Sequence, residues 1–418
     1  MTTEARRDEG PRHGLVFLLA ALTMIGPFAV DTIFPGFPQV GAELGADPVA
    51  LQHSLSVYLV SFAVMSLVHG PLSDAMGRRP VILGGLGLFA LTSVWCAVAP
   101  SMPLLLVGRA LQGLVAGGGM IVARTVVRDV FSGDRAQRAM SQMSMIFGVA
   151  PALAPIVGGW LLGWSTWRSV FWFLAVFAVV LFLALLFLLP ETHPPARRTP
   201  LQVRALAGAL RDAVRDPGVR RLLGVSSFNF AALFTYISAA PAIVVTILHL
   251  GPGDFGWLFV PVVTAMIFGS WLTGRLAGRI SSATFIALGF GCAVVGAVIG
   301  LALDAWGVVG LPWALVAPTT AGLGIALVFP IVTLALLDLR PRHRGTLSSA
   351  QSCANTLLNA VIAGAIVPLV NGSLVTLTLT ALAFSLLGWA VWEWHRRVAH
   401  PRLETPPDPG SYEPTDRM

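Results

Sequence analysis

The sequence contains no lysine. All 27 of its basic residues are arginine, so a Walker-type phosphate loop, whose lysine reaches the nucleotide phosphates, is excluded, and an ATP-driven pump with it. Charge of either sign is scarce: Asp, Glu, Lys and Arg make up 11% of the chain, where soluble domains average ~25%. Hydrophobic residues reach 56%, above the ~45–50% of soluble chains. So little polar surface cannot keep 418 residues in water, and lipid must solvate most of them. Cysteine is nearly absent. Cys96, Cys292 and Cys353 each sit inside an apolar stretch, with an odd count and no CxxC spacing, which reads as small core residues and excludes a metal cluster. There is no HExxH, no nucleophile elbow and no soluble domain of useful size, so neither an enzyme nor a cofactor is expected. No small-x-small cleavage site precedes Asp31, and the first apolar run reads as an uncleaved helix.

What the chain does have is apolar runs of membrane length, ~20 residues each. They cover 14–37, 49–70, 81–99, 103–127, 139–163 and 169–189 and, after a polar stretch, 221–248, 255–278, 284–303, 308–337, 347–370 and 374–394. The 308–337 run holds Pro312, Pro318 and Pro330 and is expected to start late or bend. Twelve spans put both termini on one side of the membrane. The breaks at 70–80, 128–138, 190–220, 275–283 and 338–346, with both tails, carry nearly all the arginine, while the alternate breaks carry only Arg168. By the positive-inside rule the Arg-rich side is cytoplasmic. A net charge of +7 and a pI near 10.5 would suggest nucleic acid in a soluble protein. Here no basic stripe carries interleaved aromatics, and no nucleic-acid partner is expected. Trp257 and other tryptophans near span ends read as interfacial anchors.

The expected organisation is a cytoplasmic tail (1–13), a six-helix bundle (14–189), a linker (190–220), a second six-helix bundle (221–394) and a disordered C-terminal tail (395–418). In the linker, Val203, Leu206, Leu210 and Val214 recur at helical spacing between Arg204, Arg211 and Arg215. This pattern reads as an amphipathic helix on the inner membrane surface. The halves also look like repeats: Gly70 to Arg79 follows the second span, and a shortened copy without the acid, Gly274 to Arg279, follows the eighth. Duplicated halves around a midplane site are a common transporter plan.

Three features carry the chemistry. Gly70, Asp74, Gly77, Arg78 and Arg79 form a charged break in which the glycines permit a tight turn, and Asp74 can accept hydrogen bonds from the start of the third span. Arg128 and Asp129, at the inner end of the fourth span, can join Asp74 in one charge network or remain solvated helix-end charges. The buried pair Asp31 and Arg109 is the second. Counting from Phe37 and Pro103, each lies six residues, ~9 Å, below the outer face, which predicts neighbours across a cavity. An Arg within the membrane costs ~2.5–3.5 kcal/mol on insertion scales and must face a partner or water. The pair reads either as a proton-carrying acid with its modulating base or as a static ion pair. The third feature is the small-residue stripe Gly148, Pro151, Pro155, Gly158 and Gly159, which allows close helix contact and bends the fifth span. Tyr58, Gln112, Asn229, Tyr236, Asn355 and Asn359 are the polar residues expected to line a substrate cavity.

These motifs resemble the major facilitator superfamily. Gly70 to Arg79 resembles its signature loop, Arg109 to Gly113 its R-x-x-q-G motif, and Gly148 to Gly159 its antiporter motif. Val30 to Pro38, Val127 to Phe131, Trp167 to Phe171 and Tyr236 to Pro241 further resemble the bicyclomycin- and chloramphenicol-resistance (Bcr/CflA-like) drug exporters, strongly over 14–190 and more thinly over 221–394. The resemblance implies an all-α membrane protein with twelve transmembrane helices in two pseudo-symmetric bundles and a cytoplasmic latch at the signature loop. It also implies proton-driven export of small drugs by alternating access, in a chain acting as a monomer whose partners are substrate, protons and membrane lipid. An importer of the same fold is the alternative, and the antiporter stripe weighs against it.

Overall fold

The structure, a computed structural model, describes residues 9–131, 133–201, 203–276, 279–308, 310–340 and 344–399. Residues 1–8, Ala277 and Gly278 of the second loop copy, the C-terminal tail from His400 and the side chains of Val203, Arg204 and Leu206 lie outside the described residues. Among those described, the chain is helical throughout, with no strand.

Twelve long helical runs follow one another. Helix α1 is broken into Glu9–Thr23, Ile25–Asp31 and, after a 3₁₀ turn at Phe34–Gly36, Phe37–Leu44. Then come α2 (Pro48–Ser66), α3 (Arg78–Ala97), α4 (Met102–Val130), α5 (Gly133–Trp164) and α6 (Arg168–Leu188). The second half holds α7 (Pro217–Ser238, continued by a π-helical turn at Ala242–Ile247), α8 (Gly256–Leu276), α9 (Ser282–Ala305) and α10 (Val316–Leu339). It ends with α11 (Arg344–Val361, with Ile362–Ile366 and Val367–Val370) and α12 (Leu374–Ala399). Their starts follow from local chemistry. Asp47 caps α2 by accepting from the Ala50 N–H at 2.7 Å, with Pro48 in the first turn. Asp216 caps α7 before Pro217, and Ser281 caps α9 through the Thr284 N–H. Each side chain satisfies a helix-end donor, and proline needs no partner there.

Eleven of these runs are long and apolar enough to cross a membrane. The twelfth, α7, is less apolar because it carries Ser226, Ser227, Asn229, Thr235, Tyr236 and Ser238, all buried inside the protein and away from lipid. α10 begins late, after Pro312, and runs through Pro318 and Pro330. The first span differs most from the sequence expectation. It does not stop near Phe37 but continues to Leu44, where Gly45 at φ +62° ends it. Pro35 and Pro38 sit at the 3₁₀ turn and in the first turn of the next helical piece, where missing N–H groups are tolerated, so neither ends the span.

Within the first half α2 packs on α4, α3 on α4 and α6, and α1 on α5. Within the second, α9 packs on α10 and α12, α7 on α12 and α10, and α8 on α10. The halves meet through α2 against α11 and α5 against α8. Lipid-facing surfaces are apolar: on α6, Trp172, Val176, Val180 and Phe187 are exposed. Trp257 is exposed at the start of α8, consistent with an interfacial position. The linker helix Val203–Arg215 packs on α7 and α11 through the buried Ala213 and leaves Val214 exposed. It therefore leans on the second half, and its stripe is not simply turned to lipid.

Candidate functional site

Asp31 is the last residue of the middle piece of α1, 4% exposed, and its Oδ1 has no hydrogen-bond partner. The break behind it is held by α5. A Cβ at Gly158 would collide with the Thr32 carbonyl, so only glycine lets the two backbones approach this closely. Arg109 on α4 is 1% exposed. Its Nε donates to the Ser54 carbonyl at 3.3 Å, one terminal nitrogen donates to Gln112 Oε1 at 2.9 Å, and the other has no partner. The guanidinium lies over the Tyr58 ring, 4.5 Å from its centroid, an arrangement that partly compensates a desolvated cation.

Asp31 and Arg109 do not form an ion pair in this conformation. Ser54 and Gln112 hold two of the Arg109 nitrogens, the third is unpartnered, and the guanidinium rests on the Tyr58 ring. Nor do the two residues lie equally far from the ends of their helices, as the sequence predicts. Because the first span ends at Leu44, Asp31 lies thirteen residues from that end, ~20 Å by helical rise, whereas Arg109 is seven residues from Met102, ~10 Å.

The six expected cavity residues divide. Tyr58, Asn229, Tyr236 and Asn359 are buried, and each keeps an oxygen without a hydrogen-bond partner. Asn229 and Tyr236 lie seven residues apart on α7 and so share a face. Gln112 and Asn355 are instead fully engaged. Gln112 accepts from Arg109 and donates to Ser93 Oγ at 2.8 Å, so it orients the guanidinium and is not free to face a cavity. Asn355 Oδ1 accepts from Ser226 and Ser227, its amide donates to Ser226, and Gln351 ties Ser226 to Thr333. A buried polar atom left unpaired costs ~1–3 kcal/mol. Several of them contributed by both halves mark where a ligand or water would be stabilised.

The inner break is more elaborate than a tight turn. Gly70 lies inside the short helix His69–Met76, with open space at its Cβ position. Gly77 makes the turn at φ +101°, and a Cβ there would meet the Glu191 carboxylate at 2.5 Å. The acid at the start of α3 is Glu191, not Asp74: its Oε1 accepts from the Arg78 N–H at 3.0 Å and the His193 N–H at 2.8 Å. Asp74 instead pairs with the Arg78 side chain at 2.5 Å, while Arg78 also reaches Asp129 at 3.2 Å and Ser73 at 2.6 Å. Thr192 donates to Asp129, and Arg79 donates to the Leu186 carbonyl. Arg128 is exposed beside Arg124 and takes no part in that network. In the small-residue stripe, α5 stays one continuous helix through Pro151 and Pro155. Gly148 has open space, whereas a Cβ at Gly159 would strike the Pro252 carbonyl of the second half.

Residues 17–364 match the family model of the Major Facilitator Superfamily. A bicyclomycin resistance protein homolog of Haemophilus influenzae is 28% identical over 65% of this chain and 68% of its own length. Multidrug resistance protein D of Escherichia coli is 28% identical over 79% of this chain and 83% of its own. Among solved structures, a bacterial homolog of the human lysosomal transporter Spinster, inward-facing and unoccupied, superposes with a TM-score of 0.71. It is 15% identical and covers 96% of this chain and all of its own, a likeness of fold.

Proposed function

Because the chain belongs to the major facilitator superfamily, and is thus a multi-pass membrane transporter and not an enzyme, we propose that it is a proton-coupled antiporter. It exports small drug-like molecules of phenicol or bicyclomycin type across the cell membrane by alternating access. The observation that carries this reading is Asp31, a carboxylate buried at a helix break with an unpartnered oxygen. Acids inside membrane spans are retained where they load and unload protons or ions. Arg109, stacked on Tyr58 and oriented by Gln112, provides the positive charge that responds when the carboxylate changes state. The unpartnered oxygens of Tyr58, Tyr236, Asn229 and Asn359 supply hydrogen bonds to cargo without adding a second charge, which favours an uncharged substrate bearing hydroxyl or amide groups.

The inner network of Arg78, Asp74, Asp129 and Glu191 is the latch, which lies within the first half and fixes the inner ends of α3 and α4 in the arrangement of one of the two states. The Arg-rich breaks assign that side, and both termini, to the cytoplasm. A single chain holds both halves and works as a monomer, with lipid against its exposed apolar faces. The names of the relatives, a bicyclomycin resistance homolog and a multidrug resistance protein, support export over uptake. The test is a panel of drug susceptibilities in a pump-deficient host. The wild-type protein should raise resistance to at least one neutral drug, and the Asp31→Asn variant, expressed to the same level, should not. Sensitisation of the host by the wild-type protein would instead favour import.

A further inference from the structure

Gln52 on α2 and Ser238 at the end of α7 belong to opposite halves and are 186 residues apart in sequence. The Gln52 amide and the Ser238 carbonyl and hydroxyl form a reciprocal pair. Gln52 Nε2 donates to the Ser238 carbonyl at 3.0 Å, and Ser238 Oγ donates back to Gln52 Oε1 at 3.1 Å. Both residues are buried, so water does not compete for either bond. The pair lies at the end of the molecule opposite the Arg-rich breaks: Gln52 is in the first turns of α2, and Ser238 is the last residue of α7 before the chain loosens at Ala239. Pro241 and the π-helical turn Ala242–Ile247 follow, an irregular segment of the kind that hinges.

Other inter-half contacts at this end are steric. The Gly159 backbone presses on Pro252, and Gly364 on α11 leaves room for Ser56 on α2. The inner ion pairs, by contrast, each stay within one half: Arg78 with Asp74 and Asp129, and Arg340 with Asp216. We propose that Gln52 and Ser238 are positioning residues that form the lock on the outer end, and that the site opens outward only when this neutral pair parts. Both groups are uncharged, so the lock closes without titrating and leaves proton coupling to other residues. The inference uses the orientation of the proposed function but neither its cargo nor its coupling ion.

The experiment measures the distance between spin labels at Val49→Cys, on α2, and Trp306→Cys, after α9, both exposed. Cys96, Cys292 and Cys353 are replaced by Ser. Gln52→Ala removes both bonds and should raise the ratio of open to closed outer ends by roughly tenfold. Ser238→Ala removes one bond and should give a smaller shift in the same direction. The double variant should add nothing beyond Gln52→Ala, because the pair is one unit. Thr92→Ala, whose hydroxyl bonds only within its own helix, should leave the distances unchanged. An unchanged distribution in a folded Gln52→Ala or Ser238→Ala variant overturns the lock, as does an equal shift in Thr92→Ala. A lowered melting temperature with unmoved distances assigns the pair a merely structural role. The labels report this end whichever compartment it faces, so failure here is distinct from failure of the export reading.

Discussion

The two halves bury different chemistry. The first half places charge inside: Asp31 and Arg109 within the spans and Arg78 at the inner end, each 5% exposed or less. The second half buries neutral groups. Ser226, Ser227, Gln351 and Asn355 are knitted into one hydrogen-bonded cluster, and Asn229, Tyr236 and Asn359 are left with spare oxygens. A buried charge changes the free energy of a conformation steeply when its partner moves, whereas a neutral polar group discriminates ligands by hydrogen-bond geometry. Under the proposed function this difference becomes a division of labour, in which the first half carries the proton-linked switch and the second supplies most of the neutral groups offered to cargo.

Five substitutions probe this contrast. The largest effect is expected at Arg78, whose guanidinium joins Asp74, Asp129 and Ser73. Arg78→Ala should lower stability by about 2–3 kcal/mol, read as a drop in melting temperature in detergent. Gly77→Ala should cost about 1–2 kcal/mol because of its positive φ and the Glu191 carboxylate. Gly70→Ala, in open space inside a helix, should be neutral or slightly stabilising in the same assay. In the second half, Asn229→Ala should weaken drug binding about tenfold, roughly 1.4 kcal/mol, without moving the pH dependence of transport. A shifted pH profile in that variant would erase the distinction between halves.

A small, pH-dependent effect is expected at Asp216, where the linker meets α7. Burial pushes its carboxyl up, but the backbone N–H groups of Gly218 and Val219 and the Arg340 guanidinium outweigh burial and hold it below the ordinary carboxylate value. A depressed folded value means that the contribution is complete above the unfolded carboxylate range and is lost as pH falls through the folded value. Asp216 is half-buried and its Arg340 partner is still reached by water, which screens the pair, so Asp216→Asn should cost only about 0.5 kcal/mol at neutral pH. The two proteins should converge in acid, which melting curves across pH would show.

The spans were legible because lipid imposes one rule on all of them, a long apolar helix, and the arginines mark the breaks. What escaped the sequence was of two kinds. One was a local boundary: the apolar run places the end of the first span near Phe37, yet Pro35 and Pro38 sit where helical pieces begin and a missing N–H carries no cost, so the span continues to Leu44. Long-range partners left no local pattern. Asp31, Arg109 and Tyr58 stood out as polar residues in apolar runs, but nothing in the sequence near Arg78 points to Glu191, 113 residues away. Nothing near Gln52 points to Ser238 either. Gln112 and Asn355 were visible as polar residues, but their satisfaction by Ser93 and Ser226 is a property of helix packing.

The proposed function requires that the Asp31 carboxylate exchange protons as cargo moves. Purified protein in liposomes holding a pH-sensitive dye tests it when a transported drug is added in the presence of a proton gradient. Wild-type protein should move protons in response to drug, and Asp31→Asn, folded and still binding drug, should move none. Drug-driven proton movement by the Asn variant at the wild-type rate would contradict the account.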